Sequence, residues 1–232
     1  MSSTGTGLYE TQAKCEKEES PEAGLNWEWE GDLLTGETWA LDVSSLVGLM
    51  LSTPGALHIE CNADSGSFTE LTLNADGTQL FKGSIKFTGC KELSGGTSCN
   101  STSPLGGAGE IITTELDGKL VYLKKAKTVP VGIVLEPAAG KIFTTLSCAF
   151  GIIKENVEGS VIGESTTAVN KPIASGELAF AETVEKNQQW EKIEEEAANF
   201  KLTAFGEAAA LTSKETLELL VGGVKVQVKI DA

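Results

Sequence analysis

The chain contains no arginine: all 18 of its cationic side chains are lysines, set against 33 acidic residues for a formal net charge of -15. Without arginine there is no planar fork to grip phosphate, guanine or carboxylate through two hydrogen bonds. An acidic surface without a basic run repels the phosphate backbone, which argues against nucleic acid as a partner. Arginine is also one of the side chains enriched at interface hot spots, so partner contacts must be built from other groups.

Histidine is nearly absent too. His58 is the sole imidazole, and no Cys-x-x-Cys pair occurs, so zinc-finger and zinc-ribbon spacings are missing. Gly-x-Ser-x-Gly, His-Glu-x-x-His, P-loop and dinucleotide-binding motifs are also missing. The sequence therefore calls for no catalytic residue and no cofactor. Paired carboxylates could in principle run a glycosidase, but 33 acidic residues supply many coincidental pairs. Asn62-Ala63-Asp64 has the spacing that opens a calcium loop but lacks the ligands that follow. A turn held by the Asn and Asp side chains explains it better.

Long apolar runs are lacking as well. The best, Val43 to Leu51, ends at Ser52-Thr53-Pro54-Gly55 and falls short of the roughly 18 residues a spanning helix needs. No membrane insertion is expected. Met1-Ser2-Ser3-Thr4-Gly5 has neither the basic start nor the apolar stretch of a signal peptide, so the expectation is either no export by the usual route or a trimmed product.

What is present is alternation. Leu25-Asn26-Trp27-Glu28-Trp29-Glu30, Leu57 to Cys61, and Phe81, Gly83, Ile85, Phe87 and Gly89 each place apolar residues at period two. Further strands are expected at Leu120 to Leu123, Val131 to Leu135, Lys141 to Cys148, Ser160 to Gly163, Glu177 to Ala181 and Val224 to Ile230. Asn74-Ala75-Asp76-Gly77 and Leu116-Asp117-Gly118-Lys119 carry the Asp-Gly signal of a tight hairpin, and Val221-Gly222-Gly223-Val224 offers a Gly-Gly turn. Ser/Gly/Pro-rich Asn100 to Gly109 reads as a loop. Val184 to Ala198 departs from the pattern, with Trp190, Ile193 and Ala197 at helical spacing, and predicts one short helix over 184–198. The fold class is all-β, an antiparallel sandwich or barrel-like architecture. The 232 residues form a single domain, with a weak subdivision at 127–130.

The cysteines are Cys15, Cys61, Cys90, Cys99 and Cys148. Cys90 and Cys99 flank the Gly/Ser-rich turn Lys91 to Ser98, which favours a Cys90–Cys99 disulfide and, by elimination, Cys61–Cys148. Loop entropy makes these bonds worth about 2.7 and about 4.6 kcal/mol. The competing reading is buried free thiols of a cytosolic protein. Cys15 is left over: unpaired, paired between chains, or deprived of its partner by truncation. Trp27 and Trp29 share a face and Trp39 follows, a row that would stack on sugar rings if exposed and fill the core if buried.

Ile59-Glu60-Cys61, Phe87 to Glu92, Thr97-Ser98-Cys99, Gly107 to Ile111 and Gly159 to Glu164 together resemble a group of uncharacterised exported bacterial proteins. The likeness runs from about Leu57 to Asn170. It implies export, four paired cysteines and an all-β fold, and it implies no chemistry. The reading that follows is a non-enzymatic, disulfide-stabilised extracellular protein with a structural or adhesive role, its partner another protein or another copy of itself. A carbohydrate-binding module using Trp27, Trp29 and Trp39, and a virion or filament subunit, are the alternatives.

Overall fold

The computed structural model describes residues 2–3, 27–28, 39–45, 49–52, 57–73, 79–123, 131–165, 175–181 and 200–226. The helix expected over 184–198, the subdivision at 127–130, the Asn74–Gly77 turn, Cys15 and Trp29 lie outside these residues. So do the side chains of Trp27 and Trp39.

Strand β1 (Ser2–Ser3) pairs with β2 (Trp27–Glu28). The chain then runs through β3 (Trp39–Ser45), β4 (Leu49–Ser52), β5 (His58–Cys61), β6 (Ala63–Leu73) and β7 (Gln79–Thr88). The short β8 (Lys91–Glu92), β9 (Cys99–Asn100) and β10 (Glu110–Ile112) precede β11 (Leu116–Tyr122) and β12 (Val131–Pro137). Next come β13 (Ile142–Cys148), β14 (Ile153–Gly159), β15 (Val161–Ser165), β16 (Gly176–Phe180), β17 (Leu202–Ala204), β18 (Glu207–Val221) and β19 (Val224–Lys225). Among the described residues no helix is long and apolar enough to cross a membrane.

Eight of these strands close a barrel. Antiparallel pairing runs β3–β6–β7–β11–β12–β15–β16–β18 and back to β3. Closure leaves none of these strands with an unpaired edge along its paired length. The sequence expectation of an all-β, barrel-like fold is met.

Seven further strands, together with one end of β18, form a second ladder that also returns on itself. Its pairings run β8–β5–β4–β18–β17–β14–β13–β9. The Lys91↔Ser98 bridge and the Cys99 N–H bond to the Cys90 carbonyl join its two ends. Strand β18 belongs to both ladders: Glu207–Thr212 pair with β17 and β4, and Ser213–Val221 pair with β16 and β3. Chain segments pass between the ladders at Asn62, at Gly89-Cys90 and at Gly159-Ser160. A side chain on Gly159, at φ 103°, would run into the Lys201 carbonyl.

Alternation explains why the barrel fills. Phe81, Ile85 and Phe87 of β7 point inward with Phe68, Val43, Leu135, Val161 and Leu178, while their sequence neighbours face out. Phe68 and Phe81 meet edge to face, with ring centroids 5.4 Å apart. Val131 to Leu135 lacks alternation because β12 is covered on both faces: Ile133 and Leu135 face the interior, whereas Val134 packs outside with Val121, Leu123, Ile162 and Phe200. One core cluster runs from the barrel into the second ladder through Ile59, Cys61, Leu146, Val157, Leu202 and Leu211.

Two turn expectations divide. Val221-Gly222-Gly223-Val224 turns between β18 and β19 as expected. Leu116 to Lys119 is not a hairpin turn: Asp117 and Gly118 lie inside β11, with Gly118 opposite both Leu135 and Phe81. The glycine serves close approach here. The Phe81 ring occupies the space that a Cβ on Gly118 would take.

Candidate functional site

The buried acids of the barrel form the arrangement with most chemical potential. In β6, Asp64 pairs with Phe87 on one side and Ser45 on the other. Thr216 pairs with Ser44, so the register brings Glu215 next to Ser45, with Leu178 and Ser165 continuing the row. Asp64 and Glu215 therefore stand on either side of Ser45, facing inward at 5% and 2% exposure. Their carboxyl groups interact directly.

No hydrogen bond of good geometry reaches either Asp64 oxygen, Glu215 Oε2 or the Ser213 hydroxyl, all of them buried. The buried polar residues that are described include no lysine. Burial, chiefly, and the contact with Glu215 push the Asp64 carboxyl up to about 8, and the Ser45 backbone amide nearby opposes the rise only in part. Below that pH Asp64 carries a proton that it can donate to Glu215. The pair can hold a proton or a hard cation, and it lines neither of the two shallow hollows on the surface. One of about 380 Å3 is bounded by Lys154, Glu155, Asn156 and Thr203, and the other, of about 350 Å3, by Ser67, Thr69, Lys82 and Glu115.

Sequence reasoning missed this pair. Asn62-Ala63-Asp64 is not a turn held by its own side chains: Asn62 takes the bend, and Asp64 enters β6 on the inward face. Glu215 did leave a signal, because Leu211, Ser213, Glu215, Leu217 and Leu219 share one face of an alternating run.

The second ladder carries the cysteines. Cys61, Cys90, Cys99 and Cys148 are all disulfide-bonded, but as Cys61–Cys90 and Cys99–Cys148, with Cα–Cα separations of 4.0 and 4.2 Å. The expected Cys90–Cys99 and Cys61–Cys148 pairings do not form. Glu60 pairs with Lys91, Lys91 with Ser98 and Cys99 with Cys148, so the four cysteines stand in one row on β5, the start of β8, β9 and β13. Cys90 and Cys99 are neighbours joined by a backbone hydrogen bond, while their sulfurs reach outward to the flanking strands. The short Cα–Cα distances match close-approaching cross-strand pairs, which bring the Cβ atoms within bonding reach. The β8–β9 hairpin is thus fastened on both sides.

Its tip is held by Glu92, whose carboxylate accepts from the Ser94 and Gly95 amides at 2.7 and 2.6 Å. Hydrogen bonding from Ser94, chiefly, holds this carboxyl below the usual range, with the nearby His58 a lesser cause. His58 is half-buried at the start of β5. A hydroxyl network secures the loop after β9. Thr145 Oγ1 accepts from the Thr102 and Ser103 amides at 2.8 and 2.9 Å, and Ser101 Oγ accepts from Ile112 N–H at 3.0 Å.

The hairpin tips β8–β9, β13–β14 and β17–β18 point to the end of the second ladder away from the barrel. They expose Leu93, Phe150, Ile152 and Phe205. Phe205 N–H donates to Glu155 Oε1 at 2.9 Å, tying two of the tips together. No known protein family, curated protein or solved structure matches this chain.

Proposed function

We propose that the protein is an exported, non-enzymatic structural protein that contacts other proteins, or further copies of itself, through the hairpin tips of the second ladder. The observation that carries this reading is the pair of cystines flanking the β8–β9 hairpin. Such bonds persist in oxidising compartments and are rare among cytosolic proteins. The likeness to exported bacterial proteins points the same way. Exposed Phe150 and Ile152, beside Leu93 and Phe205, supply apolar contact surface on a molecule otherwise kept soluble by its charge.

The test combines light scattering and electron microscopy of the native chain with a Phe150→Ser, Ile152→Ser double variant. Concentration-dependent assembly, or retention on a cell-surface fraction, is expected for the native chain and should be lost in the variant. A strictly monomeric native chain that binds the surface fraction no better than the variant would contradict the proposal.

A further inference from the structure

We infer that the barrel interior binds a hard divalent cation, with the Asp64 and Glu215 carboxylates and the Ser213 hydroxyl as its protein ligands. Two observations converge on this. The register brings acids from β6 and β18 together on either side of Ser45, at positions from which solvent is excluded. Independently, the Ser213 hydroxyl, on a residue only 7% exposed, faces the same interior from β18 and has no hydrogen-bond partner. Ser213 and Glu215 are two residues apart on one strand and so share its inward face.

A shared proton answers part of this arrangement. It makes one O–H···O contact between the acids, and it leaves an Asp64 oxygen and the Ser213 oxygen unserved, each costly when buried. A divalent cation would neutralise both carboxylates and engage all four orphaned oxygens. The facing groups supply no competing charge: Phe87 from β7, Ser45 from β3, Leu178 and Phe180 from β16 and Ser165 from β15 surround the pair.

The donor set selects the class of ion. All the ligands are oxygens, which suits calcium or magnesium. The described cysteines are locked in disulfides and His58 lies in the second ladder, so sulfur and nitrogen ligands for softer metals are not at hand. Water carried in with the ion would complete the coordination.

The experiment unfolds the disulfide-intact chain in denaturant with a chelator, then refolds it with chelator, millimolar calcium or millimolar magnesium, in alkaline buffer. Melting is followed for the native sequence, Asp64→Asn and Glu215→Gln. Calcium or magnesium is expected to raise the native melting temperature, saturating at a single ion per chain. Each variant should melt above the chelator-treated native protein and ignore the ion. Identical native melting in all three solutions overturns the inference and leaves the shared proton alone. Equal responses of native protein and variants overturn it too, since the ion then acts on the acidic surface. Elemental analysis of the desalted native protein decides the matter even where a variant does not fold: one bound ion supports the site, and none refutes it.

Discussion

The barrel and the second ladder share β18 and one hydrophobic core, yet they hold themselves together by different means. The barrel is built of strands five to fifteen residues long and packs phenylalanines over glycines, and none of its eight strands carries a cysteine. The second ladder uses β8 and β9 of two residues each and β17 of three, lined largely by aliphatic side chains, and it holds both disulfides. Short strands carry too few ladder bonds and too little buried area to fix their own register, and a covalent bond supplies what packing lacks. The two regions treat buried acids differently as well. Glu92 in the second ladder receives two backbone donors and is held low, while Asp64 in the barrel has only the Ser45 amide set against its burial and is pushed up.

Removing the bonds of the second ladder should have the largest effect. A Cys99→Ala, Cys148→Ala double variant opens a loop of 49 residues, which chain entropy values at about 4 kcal/mol. Cys61→Ala with Cys90→Ala opens one of 29 residues, for a loss of about 3.6 kcal/mol. Denaturant midpoints measure both. Hydrogen exchange should show the second ladder losing protection before the barrel, and a uniform loss would dissolve the contrast between them.

On the barrel side, Gly118→Ala forces a methyl group into the space held by the Phe81 ring. Overpacking of this kind should cost about 3 kcal/mol, with the near-ultraviolet aromatic signal altered.

Asp64→Asn changes stability in the opposite direction. In ion-free solution the folded barrel holds the Asp64 proton far more tightly than the unfolded chain does, because the pKa rises from 3.8 to about 8 on folding. The native state therefore binds more protons between those values, and stability falls as pH climbs through that window. The variant should be about 2 kcal/mol more stable than the parent above pH 8 and nearly equal to it near pH 4. Equal stability curves across the window would remove the acid pair from the account. Glu92 has the reverse sign: its contribution is present above its ordinary value of 4.5 and is lost as pH falls below it.

Thr145→Val strands the Thr102 and Ser103 amides that now share its hydroxyl, and should cost about 1.5 kcal/mol by denaturant titration. Phe150→Ser removes a fully exposed side chain, so its stability should stay within about 0.5 kcal/mol of the parent. A larger loss would mean that the tip is packed and not a contact surface.

Much of this architecture is legible in the sequence where burial is one-sided. The alternation of Leu57 to Cys61 and of Phe81 to Phe87 predicts β5 and β7, and the Gly-Gly pair predicts the β18–β19 turn. Legibility fails where a tertiary neighbour decides. Asp117-Gly118 has turn chemistry, but Phe81 claims the glycine for close packing. The bend at Asn62 shifts the inward parity from odd positions in β5 to even positions in β6, which hides Asp64 from any count that starts at Cys61. Cysteine pairing is beyond spacing for a similar reason. With four cysteines in one row, Cys90 is adjacent to both Cys61 and Cys99, and only strand register selects between them.

Peptide mapping of the native protein under non-reducing conditions tests the central claim most directly, because the cystine row follows from the register of the second ladder. Two cross-linked species are expected, one joining the Cys61 and Cys90 peptides and one joining the Cys99 and Cys148 peptides. A Cys90–Cys99 link, or free thiols at these four positions, would contradict it.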